Sequence, residues 1–150
     1  MIGDFSIRKA TLPDVKLYYG WVNEVEVRKT AFNQEIITWE NHKLWFEDKI
    51  QSDGTYLLVL EHKSKPVGQI RFDLNDEGAW EIDYSLDTEF RGLGYGKIII
   101  QEGIEYLCTK VDEPKIIAKV KSQNEPSKRT FVNLGFVEMQ KGDTFLYKYK

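Results

Sequence analysis

Three alternate glycines in the run Arg91-Gly92-Leu93-Gly94-Tyr95-Gly96-Lys97 are suited to binding a phosphate or pyrophosphate. Glycine admits positive φ and close backbone approach, so successive N–H groups can point into one concavity. An apolar, helix-like segment over residues 98–111 follows, and the partial positive charge of its N-terminus adds to the attraction. The spacing matches neither common nucleotide fingerprint: G-x-G-x-x-G lacks its last glycine here, and no G-x-x-x-x-G-K-[ST] occurs. Just upstream, Glu81, Asp83 and Ser85 alternate with Ile82, Tyr84 and Leu86, which sets three polar side chains on one face of a strand. Two carboxylates so placed can do acid–base work, and they are also what a half-solvated strand presents to water.

The elements around these segments must hold them. Phe5-Ser6-Ile7-Arg8 alternates as a strand does, and Thr11-Leu12-Pro13-Asp14 supplies a cap and a first-turn proline, opening a helix to about Val27. Thr38 caps a second helix, in which Trp39, His42, Lys43, Phe46 and Ile50 recur at roughly helical intervals until Ser52-Asp53-Gly54 stops it. Residues 56–60 and 67–72 read as a hairpin, and Asn75-Asp76-Glu77-Gly78 turns into a third antiparallel strand. After the glycine loop and its helix, Ile116-Ile117-Ala118-Lys119-Val120 reads as a central strand reached by a crossover, which makes a local parallel pair. Pro126 opens a helix that Gly135 ends, and residues 136–139 and 145–149 alternate around Gly142-Asp143. The order β-α-α-β-β-β-α-β-α-β-β predicts an α/β (α+β) fold: one mixed, mostly antiparallel twisted sheet of about seven strands with helices on both faces.

With 150 residues, 41% of them apolar and 13% aromatic, the chain is read as a single domain over 1–150 with a real core. A net charge of −3 and a pI near 5.5 give no global basic face, so extended nucleic-acid binding is not expected, while a local basic groove for one anion is compatible. One cysteine, Cys108, rules out an internal disulfide and reads as a small apolar filler on its helix. With only His42 and His62 beside it, no metal constellation is expected. The first residues lack a basic region followed by an apolar core, and no window reaches the ~20 apolar residues of a membrane span. The expectation is a cytoplasmic protein with no membrane partner.

Read as R-x-x-G-x-G, the glycine loop resembles the acetyl-CoA loop of GNAT-type N-acetyltransferases. With the element order and the downstream Asn124-x-x-Ser127-x-x-Thr130-Phe131-x-x-x-Gly135-Phe136, the whole chain looks like the GNAT fold, with a splayed central strand pair. The resemblance implies acetyl-CoA as cosubstrate and no metal. It implies that Leu93, Gly94, Tyr95, Gly96 and Lys97, within the loop opened by Arg91 and Gly92, meet the CoA pyrophosphate. It also implies that Leu86 binds pantetheine through its main chain and that Asn124 and Phe131 contact the cofactor. The chemistry implied is direct attack of a neutral amine on the thioester in a ternary complex, with Glu81 as first choice of base, Asp83 as second, and a backbone N–H near Leu86 as oxyanion donor. Many relatives carry a tyrosine acid where this chain has Phe131, so water or departure of CoA as thiolate is preferred to Tyr84 or Tyr95.

The segments 21–33 and 37–46 resemble the N-terminal part of bacterial amino-sugar acetyltransferases of the pseudaminic-acid type, which implies a small-molecule amine acceptor, plausibly a nucleotide-linked amino sugar. Relatives commonly read W-R-N where this chain reads Trp21-Val22-Asn23, and Arg28, Lys29 or Arg71 is the replacement cation. Trp21, Asn23, Phe32, His42 and Arg71 are the acceptor-site candidates. For Trp21, Phe32, Trp39, Trp45 and Phe46 helix packing competes with ring stacking on a ligand, and His42 is as readily a structural residue. Acidic residues in the first third keep a polyamine, an aminoglycoside or a protein N-terminus as alternative acceptors. Phe131 keeps a non-catalytic acyl-CoA-binding module open, and the last two strands could pair in a homodimer.

Overall fold

The computed structural model describes residues 3–141 and 144–149. Strand β1 (Phe5–Lys9) leads through a short 3-10 turn into α1 (Val15–Val22), α2 (Val25–Thr30) and α3 (Trp39–Gln51). Strands β2 (Thr55–His62), β3 (Lys65–Leu74) and β4 (Ala79–Leu86) form an antiparallel meander, whose first hairpin turns on Lys63 and Ser64 with φ of 53° and 68°. Positive φ at both turn residues matches the right-handed twist of the flanking strands. Helix α4 (Tyr95–Lys110), β5 (Lys115–Lys121), α5 (Glu125–Asn133), β6 (Val137–Lys141) and β7 (Thr144–Lys148) follow. The seven strands lie in the order β1-β2-β3-β4-β5-β7-β6, with β4 and β5 parallel and the other neighbouring pairs antiparallel. The expected α+β fold, with seven strands in one sheet, is thus observed; Gly142 and Asp143 lie outside the described residues.

One expectation needs correcting. The first helix does not run unbroken to Val27: α1 stops at Val22, and the Glu24 carboxylate accepts from the N–H groups of Glu26 and Val27 to cap a separate α2. A side chain that satisfies free amides at this point makes the restart cheaper than continuation.

Strand alternation divides the core. Leu58, Leu60, Ile70, Phe72, Trp80, Ile116 and Ala118 pack with Ile99, Ile100, Leu107 and Phe131 on the α4/α5 face. Leu57 and Val59 turn the other way, against Tyr18, Trp21 and Phe46 of α1 and α3. The strand β4 therefore presents Tyr84 to one layer and Asp83 to the other.

The sheet opens at its centre. Pairing of β4 with β5 runs from Ala79↔Lys115 to Ile82↔Ala118 and stops, whereas β3 stays with β4 to Leu86 and β7 stays with β5 to Lys121. Among the described residues, no helix is long and apolar enough to cross a membrane, and no group of three or more metal-ligating side chains gathers.

Candidate functional site

Gly94 adopts a left-handed backbone (φ 81°) where the chain enters α4, a conformation that an L side chain resists. No side chain caps this helix, so the N–H groups of Tyr95, Gly96 and Lys97 carry the positive end of α4 without an intrahelical partner. The loop has the form of an anion cradle. The Tyr95 ring turns inward, 5.0 Å from Phe5 and 5.9 Å from Phe90, and fixes the first turn.

The gap beside β4 lies next to that cradle. Asp87 donates its N–H to Val67 O at 2.7 Å, and alternation along an antiparallel pair turns the backbone groups of Leu86 and Tyr84 the opposite way, toward the space β5 has left. Arg91 takes the Leu86 carbonyl through Nε and Nη2 at 3.2 and 3.0 Å, and its Nη2 meets Glu24 Oε2 at 2.7 Å. That guanidinium holds the Glu24 carboxyl below the usual carboxylate range. Arg91 is thus a strut between the end of β4 and α2, its guanidinium bonded to Leu86 and Glu24.

A cleft of about 1510 Å³ borders the other layer, walled by Asp73, Asp76, Glu77, Glu81, Asp83 and Glu113 together with Arg71, Lys115, Lys119 and Phe32. Glu81 has both oxygens engaged, by Asn75 Nδ2 at 3.1 Å and Lys119 Nζ at 3.5 Å. Asp83 is 51% exposed; its Oδ2 faces Gln69 Nε2 at 3.1 Å and Arg71 Nη1 at 3.7 Å, leaving Oδ1 without a hydrogen-bond partner among the described residues. Asp83 also follows directly on the last β4–β5 pair, so it stands where the acidic cleft meets the open stretch of β4. Burial opposes the charge on Arg71, but Asp83 and Asp73 outweigh it and keep the guanidinium protonated. Burial likewise pushes the Asp73 carboxyl up, and Arg71, Thr55 and Lys49 together bring it below its ordinary value.

Several acceptor candidates turn out to be structural. His42 is 1% exposed, has Nε2 2.9 Å from Val15 O and lies among Tyr19, Trp39, Trp45 and Phe46; burial lowers its pKa. Trp21 is buried and donates its indole N–H to Asp87 Oδ2 at 2.9 Å. Asn23 spends both ends of its amide on the backbone of Ile37, at 2.7 and 2.8 Å, and so pins the loop after α2. Arg71 is held by Asp73 at 2.6 Å and lies 5.1 Å above the Trp45 ring, so it is not a free phosphate ligand. Phe32 does border the cleft, 60% exposed and 5.7 Å from Lys121 Nζ.

On the cofactor side, the Asn124 side-chain oxygen accepts from Ser127 N–H at 3.4 Å and caps α5. Phe131 is a core residue, 2% exposed against Tyr84 and Phe136, rather than a contact open to a ligand. Cys108 is exposed at the cleft border, not an apolar filler. Sequence reasoning passed over two polar residues. Ser127, buried, accepts a hydrogen bond from the Tyr84 hydroxyl at 3.1 Å, and Gln69 reaches Asp83 from β3. The signal for the second was a lone amide inside the apolar run Val67-Gly68-Gln69-Ile70.

Residues 4–137 match the family model described as Acetyltransferase (GNAT) domain. Mouse alpha/beta-tubulin-N-acetyltransferase 9 is 24% identical over 150 residues, covering 90% of this chain and 62% of its own, so the chain spans less than two thirds of that curated relative. Among solved structures, spermidine N-acetyltransferase from Vibrio cholerae in complex with CoA and spermine superposes with a TM-score of 0.84 at 16% identity, over 97% of this chain and 93% of that one. RimL, a ribosomal L7/L12 alpha-N-protein acetyltransferase in complex with coenzyme A, gives 0.82 at 17% identity over 98% and 94%. An N-acetyltransferase from Staphylococcus aureus Mu50 gives 0.82 at 19% over 99% of each chain. These likenesses are likenesses of fold.

Proposed function

Because the chain belongs to the GNAT acetyltransferase family, we propose that it moves an acetyl group from acetyl-CoA to the primary amine of a small cationic acceptor, with residues 1–150 acting as one domain. The amides of residues 93–97 suit the CoA pyrophosphate, and the Leu86 N–H and the backbone groups of Tyr84, which β5 does not pair, suit the amide-rich pantetheine arm, which would occupy the gap as an added strand does, the Leu86 carbonyl being held by Arg91. Acetyl-CoA supplies an activated thioester. Asp83 takes the proton that the attacking ammonium must lose, and an N–H of the open β4 stretch faces the oxygen where negative charge develops. Phe131 cannot protonate the departing thiolate, and the buried Tyr84 hydroxyl donates its hydrogen bond to Ser127, so water protonates the thiolate or CoA leaves as the anion.

The observation that carries this reading is Asp83 with a free oxygen at the junction of cleft and gap. Glu81, the first choice from sequence, has both oxygens occupied and suits a guiding role. The carboxylate-rich wall favours a cation without phosphate, as do the acceptors named for two structural relatives, spermidine and a protein α-amine. The three cations that the sequence offered for a nucleotide phosphate are engaged elsewhere: Arg28 donates to the carbonyls of Asn33 and Glu35, Lys29 pairs with Glu26, and Arg71 is held by Asp73. An amino sugar without the nucleotide is the second reading, favoured by the exposed Phe32 ring, on which a sugar face could stack.

The test is CoA release from acetyl-CoA over a panel of spermidine, free amino sugars and peptide α-amines. Asp83→Asn should lower kcat about 10²-fold or more while CoA affinity by calorimetry stays unchanged, and Glu81→Gln should keep most of it. Full activity in Asp83→Asn would overturn the assignment of the base.

A further inference from the structure

Gln69 lies in the middle of β3 and is 1% exposed, in the buried run Val67-Gly68-Gln69-Ile70 whose other members are apolar or glycine. Burying an amide removes four hydrogen-bonding positions from water, which a methionine of the same length would not do. Its Nε2 donates to Asp83 Oδ2 and to Ser85 Oγ, both at 3.1 Å, while Oε1 is buried with no partner among the described residues. Both N–H groups therefore serve the polar face of β4, and the carbonyl oxygen is left unsatisfied to achieve it. A side chain present only to fill the sheet has no reason to adopt this arrangement.

The arrangement has a defined effect on Asp83. A carboxylate that is 51% exposed is free to turn about its own bonds, and here Gln69 and Arg71 both address Oδ2, at 3.1 and 3.7 Å, from the neighbouring strand. Register fixes them there, since Gln69 faces Ser85 and Arg71 faces Asp83 across the β3–β4 pair. Oδ1 is the oxygen left for the cleft. We propose that Gln69 is a positioning residue that aims Asp83 Oδ1 at the acceptor amine; the proposal rests on the reading of Asp83 as the base. Gln69 transfers no proton itself: one ammonium proton passes to Asp83 Oδ1, the nitrogen lone pair so released forms the bond to the acetyl carbon, the carbon–sulfur bond breaks with its electron pair going to the CoA sulfur, and the second proton shed by the acylated nitrogen balances the one the thiolate takes up.

The test is a double-mutant cycle read on the full chain with acetyl-CoA and whichever panel amine it turns over. Gln69→Met keeps the bulk and removes the donors, and it should lower kcat about tenfold to a hundredfold with CoA affinity and melting temperature little changed. Gln69→Glu should be slower still, because an anion then faces Asp83. In an Asp83→Asn background, Gln69→Met should cost less than about twofold, since no carboxylate remains to be aimed. Wild-type kcat in Gln69→Met, or an equal loss in both backgrounds, overturns the proposal; full activity of Asp83→Asn instead overturns the assignment of the base. Where Asp83→Asn leaves no measurable rate, equal rates for Gln69→Glu and Gln69→Met overturn it. Should Gln69→Met unfold, Gln69→Asn, which withdraws the amide by one methylene, must show the same kcat loss in a folded protein, and an unchanged kcat again overturns the proposal.

Discussion

Replacing Gly68 by alanine should injure catalysis through the backbone of the next strand. Gly68 faces Leu86 in the β3–β4 pair, and a Cβ built on it would collide with the carbonyl oxygen of Ser85 and lie 3.1 Å from Leu86 Cα. Both are main-chain atoms that cannot swing aside, so β4 must withdraw by on the order of 1 Å, and such overpacking costs about 1–3 kcal/mol. For a chain of this size that lowers Tm by roughly 2–10 °C. The strand that withdraws is the one whose open end carries Tyr84 and Leu86, and a 1 Å error beside a reacting centre can cost about 10²-fold in rate. The assay pairs calorimetric melting with kcat and KM for acetyl-CoA. Gly103→Ala is the matched control: its Cβ would come within 2.7 Å of Ile70 Cδ1 and 3.0 Å of Ile70 Cγ2, side-chain rather than main-chain atoms, so it should lose stability while keeping KM. A Gly68→Ala protein with wild-type kcat/KM, or a Gly103→Ala protein with the same kinetic defect, would refute the reasoning.

Asp14 receives the Arg8 guanidinium at 2.7 and 3.0 Å, and chiefly through it the carboxyl is held below its ordinary value. Its contribution to stability is therefore complete above the ordinary aspartate value of about 4 and is lost as pH falls through the lower folded value. Asp14→Asn should lose about 1–3 kcal/mol at neutral pH and show a shallower acid decline in urea titrations; parallel pH curves for the two proteins would contradict this. Gly94→Ala must hold a methyl-bearing residue at φ 81°, a strain of about 1–2 kcal/mol, so calorimetry should show CoA binding weakened about tenfold, and an unchanged Kd would count against the cradle. Trp21→Phe removes the hydrogen bond to Asp87 and should lower stability by about 1–3 kcal/mol with acceptor KM unchanged; a raised KM at constant stability would put that ring in the site.

What the sequence made legible was local. The alternation read over residues 81–86, after the turn at residues 75–78, lies within β4, Thr38 does cap α3, and the glycine loop leads into α4, because alternation, caps and glycines are written within a few residues of where they act. What escaped depends on partners that only folding brings near. His42 is structural because Val15 O arrives from α1, and Trp21 because Asp87 lies at the end of β4. Asn23 is committed to a backbone fourteen residues further on. The choice between Glu81 and Asp83 was open in the strand pattern alone. It is narrowed by Asn75, Lys119 and Gln69, which reach β4 from a turn and from two other strands.

The exposed thiol of Cys108 bears on how turnover is to be followed. Aromatic disulfide reagents that colour on meeting released CoA would also react with this side chain, giving one equivalent of signal per molecule before any catalysis and leaving a bulky adduct at the cleft border. A Cys108→Ser background removes that burst. Returned to it, the same cysteine becomes a unique attachment point for a fluorophore whose emission could report an arriving amine.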